Sequence, residues 1–195
     1  MTINFFSYSL PIDRNDSGYS LVELIVVVAI IAVLGAIAIP NLSVGNARLK
    51  QAARELYGNL QRARMEAIKT NQNVGIIFDV VNNQYVLCQN IDSTDTDCAD
   101  VGETVLLTMT LGGYGSGVRF GCGSATQSAT ATPGACPTSG VSYSPSRVIF
   151  TPRGTLSGTS GNVYLQNNAQ TGFAVGTPST AGVVVMKKWV NTSWQ

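Results

Sequence analysis

Histidine is absent from all 195 residues, and charge of either sign is scarce at 12%. Without imidazole the chain lacks the usual general base near neutral pH and the commonest metal ligand. Ser-His-Asp, Cys-His and His-zinc chemistry are therefore excluded for the chain acting alone. Acidic residues are missing from residue 104 to the end, where Arg119, Arg147, Arg153, Lys187 and Lys188 give a formal +5, although the whole chain carries only +1. No Walker loop, SxxK, GxSxG or paired-carboxylate motif is present. The Gly-rich stretch at 112–117 lacks the lysine and helix of a phosphate loop and reads as a turn. These absences point away from an enzyme.

Four cysteines, Cys88, Cys98, Cys122 and Cys136, lie in stretches rich in Ser, Thr, Asp, Gly and Pro. Their spacing is not CxxC, and without histidine only a four-thiolate metal site could form. Two disulfides in an oxidising compartment is the preferred reading, with no metal. Of three connectivities, local pairing of Cys88 with Cys98 and of Cys122 with Cys136 is expected, each closing a short loop.

What the chain has is a long apolar run. Residues 1–18 are polar around Pro11 and end in Asp13, Arg14, Asn15, Asp16, Ser17 and Gly18, which reads as a leader. An unbroken apolar stretch follows from Leu24 to Ile39 and stops at Pro40. With Leu21 and Val22 it approaches the ~20 residues that cross a ~30 Å hydrocarbon core. An ordinary secretory signal puts its cleavage site after the apolar stretch. Here the polar leader and its glycine precede it, so cleavage after Gly18 keeps the helix in the mature protein. Glu23 sits near the start of this helix, where an unpartnered carboxylate costs on the order of 2–3 kcal/mol. Either it snorkels to the interface, or a new α-ammonium at Tyr19 supplies a counter-charge within the chain or in a neighbour.

Beyond Pro40, expected to kink or loosen the helix, Leu49, Ala53, Leu56, Leu60, Ala63 and Ala67 recur at steps of four and three. This stripe, flanked by Arg48, Lys50, Arg54, Glu55 and Arg62, predicts an amphipathic helix packed on a sheet. A helix from about Leu21 to Thr70 would be ~75 Å long. From Val74 the pattern becomes β-rich: 74–80 and 84–88 form a hairpin about Asn82 and Asn83, and further strands are expected at 104–110, 147–151, 162–166 and 182–190. Residues 89–103, with Asp92, Asp95, Asp97, Asp100 and Glu103, read as a solvated acidic loop; the spacing is not that of an EF-hand. Residues 112–146 read as loop, mobile except where Cys122 and Cys136 pin it. The expected fold class is α+β, one long helix on an antiparallel sheet. Its segments are a leader at 1–18, a hydrophobic transmembrane and assembly helix at 19–40, an amphipathic half at 41–72 and a β-rich head at 73–195.

The run G-Y-S-L-V-E-L-I-V-V-V-A-I-I-A-V-L-G-A-I-A-I-P, Gly18 to Pro40, resembles the class III signal of type IV pilins and type II secretion pseudopilins. Gly18 matches the glycine before the scissile bond, Tyr19 the first mature residue (more often Phe), Glu23 the glutamate at mature position five and Pro40 the proline at mature position twenty-two. The leader is longer and less basic than is common. The resemblance implies that prepilin peptidase cuts between Gly18 and Tyr19 and methylates the new amine, and that Glu23 neutralises a neighbour's N-terminus during assembly. N-L-Q-R-A-R-M-E-A-I-K-T-N-Q-N-V-G-I-I-F and R-V-I-F-T-P-R-G-T-L-S-G, with Phe150, Pro152 and Gly154, resemble the GspH/FimT/FimU branch. That branch implies a pilin-like fold and a structural minor pilin or pseudopilin, without cofactor, that helps initiate assembly near the filament tip. It also implies a single pass through the bacterial inner membrane with a periplasmic head, entry into a pilus or pseudopilus filament, and other pilins as partners through the N-terminal helix. Some FimT-type relatives bind DNA through a G-R-x-R motif near the C-terminus; this tail reads V-V-V-M-K-K-W-V, leaving Lys187 and Lys188 as candidate DNA contacts.

Overall fold

The computed structural model describes residues 20–92, 97–130 and 134–195, with the side chains of all of these except 35–43. A long α-helix, α1, runs Leu21–Thr70. Among the described residues nine strands follow: β1 Val74–Asp79, β2 Gln84–Gln89, β3 Thr104–Thr110, β4 Arg119–Phe120, β5 Arg147–Phe150, β6 Gly161–Gln166, β7 Gly172–Thr177, β8 Val185–Val190 and β9 Ser193–Trp194. A 3₁₀ turn occupies Leu111–Tyr114. The chain divides into two units, Met1–Pro40 and Asn41–Gln195, the second referred to here as the head.

The fold is α+β, as the sequence pattern predicts, but the strands form two antiparallel sheets instead of one. The first has order β3-β2-β1-β5 and the second β4-β6-β7-β8-β9. The α1 stripe of Leu49, Ala53, Leu56, Leu60, Ala63 and Ala67 is fully buried, joined by Ala52. It meets Val74, Ile76 and Phe78 of β1, Phe150 of β5, and Val163, Leu165, Phe173 and Val175 of the second sheet in one core. Alanines at four of these helical positions leave little side-chain bulk between helix and strands, and leucines fill the spaces between.

The period-2 alternation of strands sends the intervening side chains to the opposite faces, and a disulfide-closed loop covers each. Cys88 is bonded to Cys98, with Cα atoms 5.9 Å apart, and Ile91 packs with Cys88 and Ile149 on the outer face of the first sheet. Cys122 is bonded to Cys136, with Cα atoms 6.3 Å apart, and this loop lays Ala129 against Tyr164 and Ala174 on the outer face of the second. Trp194 closes that cluster, its ring 5.4 Å from Tyr164 and its indole N–H donating to the Gln127 carbonyl at 2.7 Å.

Three strands escape the sequence pattern. β7, GFAVGT, is buried along its whole length because the main core lies on one face and the Cys122–Cys136 loop on the other, so it shows no alternation. β4 and β9 are only two residues long. The 112–146 tract, read as loop, adds Val118, Phe120, Val141 and Tyr143 to the main core. The strand expected at 182–190 begins only at Val185, since Gly182 belongs to a turn.

Candidate assembly surfaces

α1 starts directly after Ser20, whose carbonyl accepts the Leu24 N–H at 3.1 Å, and carries Glu23 in its first turn. A carboxylate there is favoured by the positive end of the helix dipole. From Leu21 to Leu34 every side chain is exposed, and Leu21, Leu24, Ile30, Val33 and Leu34 are each more than half so. Glu23 is the one charged residue in that stretch. Val26, Ala29, Ile30, Val33 and Leu34 form a shallow, wholly apolar groove along one side. Such a surface is unfavourable in water and needs lipid or other helices against it.

Among the described residues no helix is long and apolar enough to cross a membrane. Described side chains of the apolar run end at Leu34, and about 14 residues of helix rise only about 21 Å. Gly18 and Tyr19 lie outside the described residues. Pro40 falls within the span of α1, and its side chain also lies outside them.

In the head, polar contacts fix α1 to the loops on either side. Arg64 Nε donates to the Gly154 carbonyl at 2.8 Å, and its Nη2 reaches the Ala181 carbonyl at 3.4 Å. The Phe150, Pro152 and Gly154 segment closes a turn in which the Gly154 N–H donates to Thr151 and the Thr151 N–H to Thr155. Gly154 and Gly182 both hold left-handed backbone, with φ of 73° and 76°. A Cβ on Gly182 would run into the Gly154 carbonyl. The motif thus docks one end of β5 on the helix. The periodicity of α1 gives no sign of Arg64's part, because an arginine beside an apolar stripe reads as a solvated flank.

Nearer the middle of the head helix, the Tyr114 hydroxyl donates to Glu55, and Asn59 donates to the buried Tyr85 hydroxyl at 2.8 Å. Burial pushes the Tyr85 phenol up to about 12, and the nearby Glu55 charge adds to it. The Gly-rich stretch thus begins in a 3₁₀ turn tied by Tyr114 to the helix. At the β1–β2 hairpin Asp79 accepts from the Asn82 backbone and side chain, which holds its carboxyl below the usual range.

The candidate DNA contacts separate. Lys188 stands opposite Phe173 and Lys187 opposite Ala174, so successive residues of β8 project to opposite faces. Lys188 faces the helix side of the sheet, and Lys187 faces the side of the Cys122–Cys136 loop. Arg119 is bound to the Gly117 carbonyl and Asn168, while Arg153 is exposed in the turn beside Arg64. The +5 of the C-terminal half is spread over several faces. In the acidic loop Asp92, Asp97 and Asp100 are exposed; Asp95 lies outside the described residues. Among the described residues no group of three or more carboxylates and thiolates is arranged to hold a metal ion.

Residues 52–185 match the model of the family described as Type II transport protein GspH, and residues 13–39 match the prokaryotic N-terminal methylation motif. The chain belongs to the GspH family. As a GspH-family member of the type IV pilin-like superfamily it is a structural subunit of pilin type and not an enzyme. Curated relatives include the pilin-like protein PilA1 of Thermus thermophilus, 46% identical over 59 residues, and the type IV wide pilus major component PilA4 of the same organism, 35% identical over 72. These alignments cover 30% and 37% of this chain and span only 38% and 47% of the relatives' length. Similar solved structures include the type IV minor pilin FimU of Pseudomonas aeruginosa, with 19% identity, 70% of this chain and 90% of that one covered, and a TM-score of 0.45. The minor pseudopilin EpsH of the Vibrio cholerae type 2 secretion system gives 14%, 71%, 95% and 0.42.

Proposed function

We propose that the chain is a minor pilin of a type IV pilus, one that helps initiate assembly near the filament tip and so serves pilus biogenesis and motility. The observation that carries this reading is the continuous exposed apolar surface from Leu21 to Leu34, with Glu23 as its one charge, inside the segment that matches the methylation motif. In this reading prepilin peptidase cuts between Gly18 and Tyr19 and methylates the new amine. The chain waits as a single-pass inner-membrane protein with its head in the periplasm. On assembly its helix leaves lipid for a bundle of other pilin helices, where Glu23 meets a neighbour's ammonium. Exchange between lipid and helices changes little apolar burial, so the Glu23 pairing supplies direction and register. Two disulfides are in keeping with an oxidising compartment.

Replacing Gly18 with a bulky residue should leave the protein at precursor mass. Glu23→Val should permit processing and membrane insertion yet reduce incorporation into filaments, measured by immunoblot of sheared fractions. Mature-length protein from the Gly18 variant, or normal incorporation of Glu23→Val, would refute the corresponding step.

A second reading, a minor pseudopilin of a type II secretion system, is favoured by the description of the matched family itself. It uses the same helix and the same amine. Deleting the chain separates the two: loss of surface pili with secretion intact supports the pilus, and the reverse supports secretion.

A further inference from the structure

Among the described residues the two sheets end in four edge strands, and three of these are blunted. The edge of β5 is covered by the following turn, where Leu156 bridges to Phe150 and the Ser157 N–H donates to the Ile149 carbonyl at 2.8 Å. β4 and β9 are each only two residues long. Short or covered edges of this kind offer no template for another strand. β3 differs, being a seven-residue edge strand, TVLLTMT, with neither a charge nor a proline. A bulge where it passes Leu87 and Cys88 leaves Leu107–Thr110 in regular register with β2.

The Leu111 N–H donates to the Asn83 carbonyl at 2.9 Å, so alternation turns the backbone groups of Leu107 and Met109 toward β2 and those of Thr108 and Thr110 away from the sheet. Among the described residues no backbone group pairs with that outward set, and both threonines are exposed. Leu107 and Met109 pack against the main core but are only partly buried, so the core is left open along this edge. On the opposite face Val105 and Thr108 border a groove of about 520 Å³ that runs in toward Val86 and Ile77. Asp79 and Asp97 line the groove, and among the described residues no lysine or arginine does.

We propose that the free edge of β3 takes up a strand from a different pilin-type subunit of the filament. The incoming segment is extended and hydrogen-bonds to the outward backbone groups of Thr108 and Thr110. It lays apolar side chains beside Leu107 and Met109, which completes the core there, and presents polar or basic side chains on the face beside the groove. Two carboxylates in that groove disfavour an acidic partner side chain. Main-chain bonds supply the affinity of such a contact, and the alternating side chains select the partner. A second copy of this chain is the wrong occupant. Antiparallel pairing of two β3 edges would run the two copies of α1 in opposite directions and set one acidic groove beside the other. The inference rests on the assembly reading above, in which a scarce subunit has other pilins as neighbours and the apolar helices supply the main association.

The test places the photo-reactive residue p-benzoylphenylalanine at position 108 or 110 of the full chain in cells, irradiates sheared filaments and maps the links by mass spectrometry. Both positions should link to one segment of one other pilin-type subunit, at sites two residues apart, as an added strand requires. Thr108→Pro removes an outward N–H that no internal bond uses, and proline is tolerated on edge strands. It should bring the links from position 110 to background while both disulfides form and the denaturation midpoint holds. Thr108→Val keeps the N–H and should keep the links. Should Thr108→Pro fail to fold, Thr108→Lys puts a charge on the same edge through an exposed side chain and should abolish the links likewise. Full linkage in a folded Thr108→Pro or Thr108→Lys variant would overturn the proposal. So would links scattered over unrelated segments, links within one copy or between copies of this chain, or no link from chain that is present in the filaments. Each of these leaves the Glu23 reading intact, whereas absence of the unsubstituted chain from the filaments would strike the assembly reading instead.

Discussion

Arg64 and Gly154 are 90 residues apart in sequence and joined by a 2.8 Å hydrogen bond from the guanidinium Nε to the backbone carbonyl. Through it the helix holds two turns at once, because the Ala181 carbonyl lies within reach of the same side chain and Gly182 packs on Gly154. Arg64→Met keeps the aliphatic stem and removes the donors. It should lower stability by about 1.5–3 kcal/mol, the range for a hydrogen bond from a charged group. Arg64→Lys should recover only part, lacking the planar fork. Urea denaturation of the full chain in detergent, followed by tryptophan fluorescence, would measure both; an unchanged midpoint for Arg64→Met would make the contact incidental.

Tyr85 and Tyr143 predict the alkaline limit. Burial raises both phenols to about 12, against roughly 10 in an unfolded chain. Between these values the folded state keeps protons that the unfolded state has lost, so stability falls as pH rises. The contribution is intact below about pH 10 and disappears as the pH passes through about 12. Denaturation midpoints should decline across that window together with the rise of tyrosinate absorbance, and Tyr143→Phe should flatten the decline. Tyr143→Phe also removes the bonds to the Thr177 hydroxyl and from the Thr177 N–H, at 2.9 and 3.0 Å. A midpoint constant across the window would contradict the burial argument.

The two disulfides should have separable signatures. Each closes a short loop, with sequence separations of 10 and 14, and losing either should cost on the order of 3 kcal/mol. Trp194 packs on the same Ala129–Tyr164–Ala174 cluster as Cys122 and Cys136, and not on the cluster of the other pair. Replacing Cys122 and Cys136 together by Ser should therefore shift tryptophan emission in the folded state. Replacing Cys88 and Cys98 should lower stability with little change in emission. Equal spectral shifts from both would mean that the loops are not independent covers.

Lys187 and Lys188 act on different faces, which predicts no joint DNA site at β8. Gel-shift titration of the full chain at low salt should give no retardation that both replacements abolish together. Salt-sensitive binding lost equally on Lys187→Ala and Lys188→Ala would require the two faces to be bridged by one duplex.

Much of the molecule is written locally. The apolar run, Glu23 behind Gly18 and the spaced stripe from Leu49 to Ala67 depend on one helix and its 3.6-residue period, so the sequence alone determines the helix and its buried face. Local chemistry likewise determines the β1–β2 hairpin, and short spacing favours the pairing of neighbouring cysteines that the fold contains. β7 could not be recognised, because burial on both faces erases alternation, nor could the division into two sheets, because pairing joins residues far apart in sequence. Arg64, Lys50 and Lys188 show the same limit most directly. Each reads as an ordinary solvated cation along the chain, and only the folding of distant turns and strands against α1 decides which one holds a carbonyl and which two line one cleft. Hydrogen bonds and charges act over a few ångströms of space, and the sequence encodes that proximity only through the whole fold.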